Sequence, residues 1–257
     1  MSAPSKAYKV VKADPDCISV SVVDPLMGPD GWHFSTRDGC IPDAVNQYTH
    51  VRELYLKTEG YSGRYTVPIL WDKERSVIVN NESSEIIRML YTEFDAWSSA
   101  PGLTYYPEAL RSEIDRLNEM VYEPINNGVY KSGFATTQDA YMEAVTALFA
   151  ALDGIEAILN NQDWLAGSQF TEADLRLFPT IVRFDAVYHG HFKCNLKTIS
   201  HDYPYILKWA RKIYQMPGVA ETVHLGHIKE HYYKSHAQIN PSGVIPVWNG
   251  PDFSAPI

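Results

Sequence analysis

The sequence predicts a protein with a mixed α/β N-terminal half and an all-α C-terminal half. "CISVSVVDP" alternates apolar and polar residues, as a half-buried strand does. "TVPILWD" and "SVIVNN" are two short β-rich runs that "DKER" joins, a pattern typical of a hairpin. From Pro107 onward apolar residues recur at steps of three and four, the period of amphipathic helices.

The composition is that of an ordinary globular protein inside the cell. The 257 residues are 45% hydrophobic and 21% charged. The net charge of −9, without a block of like charges, argues against nucleic acid and against an anionic membrane surface. No window approaches the roughly 20 apolar residues of a membrane span. "MSAPSKAYKVVKADPD" lacks the apolar core of a signal peptide, so we expect a cytoplasmic protein.

The N-terminal half reads as strand, helix, hairpin and helix. The strand around Ile18 ends at Pro25, and a glycine-rich loop leads to a predicted helix over Asn46–Lys57. After the hairpin, "SSEIIRMLYTEF" places one apolar stripe on a second helix. The stripe consists of Ile86, Ile87, Leu90 and Phe94.

The C-terminal half predicts a bundle around one buried helix. "TQDAYMEAVTALFAALDGIEAILNN" is a long amphipathic helix, and "YPYILKWARKIYQMPGV" is another that ends at Pro217 and Gly218. "FTEADLRLFPTIVRFDAVY" is apolar on nearly all faces, as a central helix is, and opens with the capping-box spacing of Thr171 and Asp174. The apolar stripe of the long helix is Tyr141, Val145, Leu148, Leu152, Ile155 and Leu159.

Two arginines on the predicted central helix need partners if they are buried. We expect Arg176 and Arg183 to form structural ion pairs with Asp174 or Asp185. The stretch "SSAPGLTYYP" is the natural boundary between the halves. We therefore predict domains over residues 1–97 and 107–239, followed by an extended tail over residues 240–257 that lies on the surface or across a partner.

The hairpin and the helix after it suggest a peptide-binding site. A proline does not fit a central strand, so we predict that Pro68 follows a cis peptide bond and that the backbone of Val67 can pair with a short peptide. The helix that "NES" opens offers free amides and the Ser83 hydroxyl to a carboxylate, and Glu82 offers a charge to an ammonium group. Together these groups match the γ-glutamyl-cysteinyl part of glutathione. An edge strand and a simple helix cap are the alternatives.

Longer motifs resemble those of a known family. "SVSVV-P-MG--GW", "Y-GR-TVP-LWD", "IVNNES-EIIRM", "EPINNGVYK-GFA", "EADLRLF-T-VRFD-VY", "HFKCN" and "HIK-HYY-SH--INP-G" resemble the xi class of glutathione transferases, the glutathionyl-hydroquinone reductases. The resemblance runs from about Ile18 to Gly243. It implies a thioredoxin-like domain followed by an all-α domain. It also implies a homodimer that removes glutathione, its co-substrate, from glutathionyl-hydroquinones with a cysteine.

The resemblance also assigns site residues. It implies that Val67 and cis-Pro68 hold the cysteinyl backbone of glutathione, and that Glu82 and Ser83 hold its γ-glutamyl end. Tyrosine suits a quinol, because its ring packs on the quinol ring and its phenol can hydrogen-bond the quinol oxygens. The remaining candidates are Trp32, stacked near the tripeptide, Arg64, and the quinol-contacting Tyr130, Tyr232 and Tyr233.

The family's nucleophile has no counterpart in this sequence. The family carries it in a Cys-Pro-Trp-Ala-His motif at the start of the first helix, and "CPW" occurs nowhere here. "SKAYKVVKADPD" stands where the end of that helix belongs, so the resemblance implies a truncated thioredoxin-like domain that lacks its first strand and helix. The catalytic residue is therefore unassigned.

The three cysteines offer no obvious substitute for that nucleophile. They lack CxxC spacing, so we expect neither a disulfide framework nor a zinc knuckle. Cys17 lies at a strand entry and reads as a loop or buried thiol, Cys40 could lie near a ligand, and Cys194 matches the family's "HFKCN" and reads as structural.

Three other functions remain open at this point. A protein of the same fold could bind without turnover. His224, His227 and His231 share a predicted helical face that could bind zinc, although a half-exposed polar face is the simpler interpretation, and we expect no metal cofactor. A serine hydrolase is disfavoured because the sequence has no G-x-S-x-G elbow.

Overall fold

The computed structural model of the chain describes residues 18–98 and 100–257. The described residues divide into two compact units. The first extends to Thr104 and includes Thr222–His224, and the second consists of Tyr105–Glu221 and Leu225–Ile257. The predictions for Cys17 and for the segment 5–16 lie outside the described residues.

The first unit contains the predicted hairpin and the helix that follows it. Strands β1 (Leu70–Asp72) and β2 (Val77–Asn80) are antiparallel, with Trp71 opposite Ile78. Helix α2 (Ser83–Thr92) buries Ile86, Ile87 and Leu90, as its apolar stripe predicts. Phe94 lies beyond the end of this helix, next to a short 3₁₀ turn over Asp95–Trp97.

The strand predicted from Ile18 is shorter than expected, because within residues 18–98 the segment forms two isolated bridges, at Val22 and Val23. Val22 exchanges both backbone hydrogen bonds with Ile41, at 2.8 and 2.9 Å, and Val23 lies opposite Phe34. The pairing stops at Asp24, because its carboxylate accepts the N–H of Leu26 at 2.9 Å and so closes a turn.

The helix predicted over Asn46–Lys57 is shorter, because helix α1 covers only Val51–Tyr55. The carboxylate of Asp43 folds the segment between Asp43 and helix α1 into a turn. Gln47 has a φ of 58°, which interrupts a right-handed helix. The amides that this carboxylate accepts belong to Val45, Asn46 and Tyr48, at 3.0 to 3.4 Å.

The second unit is helical, as predicted. Its helices are α3 (Arg111–Val121), α4 (Gly128–Gly133), α5 (Gln138–Asn161), α6 (Glu172–Arg183), α7 (His189–His191), α8 (Ile199–Asp202), α9 (Pro204–Tyr214) and α10 (Leu225–Ser235). Two π-helical turns, Tyr122–Asn126 and Phe184–Tyr188, interrupt this series. Short 3₁₀ turns cover Glu108–Leu110 and Ala220–Thr222.

Helix α6 is the buried central helix, and its capping box is confirmed. Asp174 is fully buried and accepts the N–H of Thr171 at 2.9 Å, which holds the first turn. The same carboxylate accepts the N–H of Leu165 at 2.9 Å and the indole N–H of Trp209 at 2.8 Å. One buried acceptor thus joins α6 to a loop and to α9.

The expected partners of the two arginines on α6 are wrong. Arg176 pairs with Glu172 at 2.6 Å, because residues four apart meet on one helix face. Arg183 donates to the Pro179 carbonyl at 2.5 Å, a backbone acceptor one helical turn earlier. Asp185 instead accepts the N–H of Ile199 at 2.8 Å and so holds the start of α8.

The tail from Asn240 is anchored to the second unit. Lys229 on α10 is 6% exposed and donates to the carbonyls of Val247 and Trp248, at 3.1 and 3.0 Å. Asn249 supplies a third acceptor at 2.8 Å, and the Phe253 side chain is buried. None of the helices within the described ranges is long and apolar enough to cross a membrane.

Candidate functional site

Val67 carries free backbone groups in the first unit. The Val67–Pro68 peptide bond is cis, as predicted. Neither the N–H nor the C=O of Val67 forms a hydrogen bond within residues 18–98 and 100–257. An extended peptide could use both groups, in the way that an added strand pairs with an edge.

A buried tyrosine fixes the position of this backbone. The Tyr55 hydroxyl donates to the Thr66 carbonyl at 2.8 Å and accepts from the Asn81 amide at 3.2 Å. Thr66 precedes Val67 and Asn81 precedes Glu82, so one phenol ties the two predicted glutathione contacts together. Sequence reasoning missed Tyr55 and Asn81, because a tyrosine in a short helix gives no sign of contacts so distant along the chain.

The start of α2 offers an unused donor pair. Glu82 is the exposed N-cap residue, and the Asn80 side chain accepts its N–H at 2.7 Å. The amide and the hydroxyl of Ser83, also exposed, have no partner among the described residues. A carboxylate can bind there, because free amides and the positive end of the helix dipole point the same way.

The structure brings three of the six predicted glutathione contacts to one groove. Val67, Pro68 and Ser83 line a groove of about 320 Å³ in the first unit, whereas Trp32, Arg64 and Glu82 do not. Trp32 is 8% exposed and packs with Val51, Tyr55 and Val67 in the core. Arg64 is exposed. Trp32 therefore contributes mainly to the wall behind Val67.

Three tyrosine hydroxyls meet in the second unit. The Tyr232 hydroxyl lies 2.6 Å from that of Tyr130 and 2.9 Å from that of Tyr188. Tyr188 and Tyr232 are 2% exposed, and Tyr130 is half-buried. Sequence reasoning found two of these residues and missed Tyr188, the last residue of the "VRFD-VY" motif.

Tyr233, the third predicted tyrosine, packs against a neighbouring pair of histidines. The Tyr233 ring packs edge-on against the His191 ring, with centroids 4.8 Å apart. The Nε2 of His191 lies 3.1 Å from the Nδ1 of His236, and both residues are buried. Tyr232 and Tyr233 are consecutive, so their side chains leave α10 in different directions and do not share one hydrogen-bond chain.

Burial keeps Tyr130, Tyr188 and His191 uncharged at neutral pH. It raises the pKa of Tyr130 and of Tyr188 well above the usual phenol value, and the neighbouring Tyr232 adds to both shifts. Burial also lowers the pKa of His191 to about 4, with a contribution from His236. Neutral phenols donate and accept hydrogen bonds, so the cluster can bind hydroxyl groups of an aromatic ligand.

Close packing holds the phenols in place. The Phe192 ring stacks on the Tyr188 ring at 5.5 Å, with 5° between the planes. A Cβ at Gly133 would lie 2.1 Å from the Phe192 ring, so glycine is required at this position of α4. The π-helical turn that ends at Tyr188 sets where its ring projects.

Neither of the two described cysteines lines the groove of the first unit or bonds a hydroxyl of the tyrosine cluster in the second unit. Cys194 is fully buried, and burial raises the pKa of its thiol to about 12. Cys40 is half-buried. The described part of the chain contains no group of three or more His, Cys, Asp or Glu side chains that could hold a metal, so His224, His227 and His231 do not form one.

Comparison with known proteins places the chain in a family. Residues 135–212 match the family model of the glutathione S-transferase C-terminal domain. The chain is 51% identical to the glutathionyl-hydroquinone reductase PcpF of Sphingobium chlorophenolicum over 240 residues, which cover 93% of the chain and 76% of PcpF. It is also 51% identical to the glutathionyl-hydroquinone reductase YqjG of Escherichia coli K12, over 93% of the chain and 73% of YqjG.

Solved structures agree with these sequence matches. Glutathione transferase Xi 1 from Trametes versicolor superposes with a TM-score of 0.91 at 52% identity, over 96% of the chain and 86% of that protein. The glutathione-bound structure of YqjG superposes with a TM-score of 0.92 at 48% identity, over 98% of the chain and 83% of that protein.

Proposed function

Because the chain belongs to the xi class of glutathione transferases, the family of the glutathionyl-hydroquinone reductases, we propose that it uses glutathione to reduce glutathionyl-hydroquinones. The 51% identity to two such reductases over 93% of the chain carries this proposal. The free donors of the first unit and the phenols of the second support it.

Glutathione binds in the first unit. Its cysteinyl backbone pairs with the free N–H and C=O of Val67, beside Pro68. Its γ-glutamyl carboxylate accepts from the amide and hydroxyl of Ser83, and the carboxylate of Glu82 attracts its ammonium group. Trp32 packs behind Val67 and supports the glutathione-binding backbone there. The exposed guanidinium of Arg64 is a further contact for glutathione.

The quinol binds through the aromatic cluster of the second unit. The half-buried Tyr130 offers its phenol to one quinol hydroxyl, and Tyr232 orients that phenol at 2.6 Å. Tyr233 contributes aromatic surface beside the histidine pair. A substrate with a ring and two hydroxyls suits such a lining better than an aliphatic one does.

The reaction balances without a protein thiol. The thiolate sulfur of one glutathione attacks the thioether sulfur of the glutathionyl-hydroquinone. A sulfur–sulfur bond forms, the aryl carbon–sulfur bond breaks, and the aryl carbon takes a proton. The two sulfurs become glutathione disulfide, and the ring carbon is reduced as hydroquinone leaves. Cys194 does not serve as nucleophile, because its raised pKa of about 12 keeps the thiol protonated.

We also propose that the protein is a cytoplasmic homodimer. A second copy would cover the exposed Val77 and Val79 side chains of β2, which are 43% and 49% exposed. Analytical ultracentrifugation of the purified chain tests this point, and a single species with the mass of one chain would contradict it.

A non-catalytic glutathione-binding protein is the second candidate. The buried, protonated Cys194 favours it. The two candidates share the glutathione site and differ in turnover.

Titration calorimetry with reduced glutathione, followed by chromatographic detection of hydroquinone and glutathione disulfide, separates the candidates. Binding with turnover supports the reductase, and binding without turnover supports the second candidate. The absence of heat up to millimolar glutathione contradicts both. A variant with Cys17→Ser and Cys40→Ser serves as the control, because turnover by free glutathione survives both substitutions.

A further inference from the structure

Arg183 is a buried cation that no carboxylate pairs with in the described part of the chain. Its side chain is 5% exposed, and among the described residues its guanidinium bonds the Pro179 carbonyl and forms no ion pair. Arg176, on the same helix, pairs instead with Glu172 at 2.6 Å. Burial of a charge is costly unless an opposite charge offsets it. The fold alone does not explain the unpaired charge of Arg183.

The backbone places Arg183 beside the tyrosine cluster, which consists of Tyr130, Tyr188 and Tyr232. Helix α6 ends at Arg183, and the π-helical turn Phe184–Tyr188 follows directly. The hydrogen bonds of a π-helical turn join residues five apart, so positions 183 and 188 lie nearly above one another. In a regular α-helix the same two positions would lie on different faces. The turn therefore brings the cation to the inner end of the cluster.

The charge of Arg183 acts on two of the phenols. Burial raises the pKa of Tyr130 and of Tyr188, and the guanidinium lowers both values in opposition to it. Because burial has the larger effect, both phenols stay neutral at physiological pH. They therefore supply no negative charge to Arg183.

The nearest acid along the chain has other partners. Asp185 accepts the amides of Ile199 and Ser200, at 2.8 and 2.9 Å. The histidine pair beside the cluster carries no charge at neutral pH, because burial lowers the pKa of His191 and of His236. Neither group therefore offsets or adds to the charge of Arg183 by direct contact.

Other charged side chains near the π-helical turn are bonded elsewhere or exposed to water. On α10, Lys229 donates to the tail, and Glu230 pairs with Lys234 at 3.1 Å. On α8, the exposed Asp202 accepts the amide of Thr198 at 2.7 Å. The other histidines on the helices that pack against the turn are at least partly exposed, namely His189, His201 and His231. A ligand is thus the natural source of a negative charge for Arg183.

We propose that the tyrosine cluster binds its aromatic ligand as an anion, and that Arg183 is the positioning residue whose charge selects this form. The inference rests on the proposed function, because the ligand is the quinol substrate with one oxygen ionised. Tyr188 can donate to Tyr232, Tyr232 to Tyr130, and Tyr130 to the phenolate oxygen. Hydrogen bonds that run in one direction strengthen one another, so the chain of phenols carries the effect of Arg183 to the ligand.

A coloured phenol tests this site. 4-Nitrophenol changes colour when it ionises near neutral pH, so its absorbance reports which form the full chain binds. We expect the pKa of bound 4-nitrophenol to lie about one pH unit below that of the free compound, which corresponds to about tenfold tighter binding of the phenolate. Excess hydroquinone should displace the probe. No displaceable binding, or a bound pKa equal to or above the free value, would overturn the proposal.

Substitutions of Arg183 separate its charge from its packing. Arg183→Met should abolish the shift in the pKa of the probe, whereas Arg183→Lys should retain most of it. Lys131→Met is the matched control, because it removes an exposed charge that follows Tyr130 in the sequence and pairs with Glu123 at 2.6 Å. Solvent screens that charge, so the pKa of the probe should not change.

Thermal unfolding of the same variants checks for a structural role. Because Arg183→Met removes a buried charge that lacks a carboxylate partner, it should unfold at the temperature of the unsubstituted protein or higher. An unchanged probe pKa in folded Arg183→Met would overturn the proposal. Loss of folding in Arg183→Met would overturn it as well, because the residue would then be structural.

Turnover of glutathionyl-hydroquinone distinguishes this inference from the proposed function. Turnover with a probe pKa that does not depend on Arg183 would contradict the anion site alone. A probe pKa that depends on Arg183, without turnover, would contradict the reductase alone. In an active enzyme, Arg183→Met should also move the acidic limb of the kcat/KM profile to higher pH by about one unit, because the substrate then ionises less readily.

Discussion

The buried hydroxyl of Tyr188 lies 2.9 Å from that of Tyr232, which lies 2.6 Å from that of Tyr130. Tyr188 therefore reaches the half-buried Tyr130 through Tyr232, and its ring also lies beside the Tyr130 ring, with centroids 6.1 Å apart. An outer phenol held in this way keeps its direction when a ligand arrives.

Removing the inner phenol should loosen this chain. We expect Tyr188→Phe to lower the free energy of unfolding by about 1 kcal/mol and to weaken hydroquinone binding severalfold, because one buried hydrogen bond is lost. Chemical denaturation and calorimetry with unsubstituted hydroquinone measure the two effects. Tyr141→Phe is the control, because it removes a bond to the Lys193 carbonyl outside the chain of phenols. Equal hydroquinone affinity of both variants would remove Tyr188 from the site.

The start of α2 gives a prediction for glutathione. Ser83→Ala should weaken glutathione binding by about 1–2 kcal/mol, because one hydrogen bond to a charged carboxylate is lost. Calorimetry measures the change. Ser62→Ala is the control, since Ser62 is an exposed loop serine of the same unit. An unchanged affinity in Ser83→Ala would contradict the placement of the γ-glutamyl end.

The histidine pair predicts how stability varies with pH. Burial lowers the pKa of His191 to about 4 in the folded protein, below its ordinary value of 6.5. Between pH 6.5 and pH 4 the unfolded chain therefore binds a proton at His191 that the folded chain does not bind. The contribution of neutral His191 to the free energy of unfolding is complete above pH 6.5. It is lost as the pH falls toward 4, by up to about 1.4 kcal/mol per pH unit.

Urea unfolding at pH 7, 6 and 5 measures this loss. His191→Gln should flatten the slope, and His201→Gln, at an exposed histidine, should leave it unchanged. A slope that stays the same in His191→Gln would assign the pH dependence to other groups.

The two described cysteines should differ in reactivity. Burial raises the pKa of the Cys194 thiol to about 12, so almost no thiolate exists at pH 7.5, and the side chain is fully covered. Mass spectrometry after iodoacetamide treatment should find Cys40 modified well before Cys194. In guanidinium chloride the two rates should converge. Rapid labelling of Cys194 in the native protein would contradict its burial.

Local patterns in the sequence predicted the helical half well. The periodic apolar stripe and the Thr171–Asp174 spacing depend on neighbours within one helix, and both are confirmed. The helix predicted over Asn46–Lys57 is shorter because the carboxylate of Asp43 accepts the amides of Val45 and Asn46. Such competition is decided by side-chain geometry that periodicity does not encode.

Which partner each polar side chain takes could not be predicted from the sequence. Arg176 and Arg183 bond Glu172 and the Pro179 carbonyl one turn earlier on the helix, since the carboxylate of Asp185, expected as a partner, already accepts backbone amides. Tyr188 and Tyr55 were missed for a related reason. Their hydroxyls bond groups 44 and 11 residues away, and only the folded chain brings them together.

The Lys229 ammonium is held by three converging oxygens of the tail, much as a crown ether holds a cation. No carboxylate forms an ion pair with it within the described ranges, so the tail carbonyls replace the water that burial removes. A flat guanidinium would not fit three converging oxygens, so arginine is a poor substitute at this position. Insertions or deletions between Asn240 and Asn249 would shift all three oxygens together. The tail therefore has a fixed length for a chemical reason, although most of it lacks regular structure.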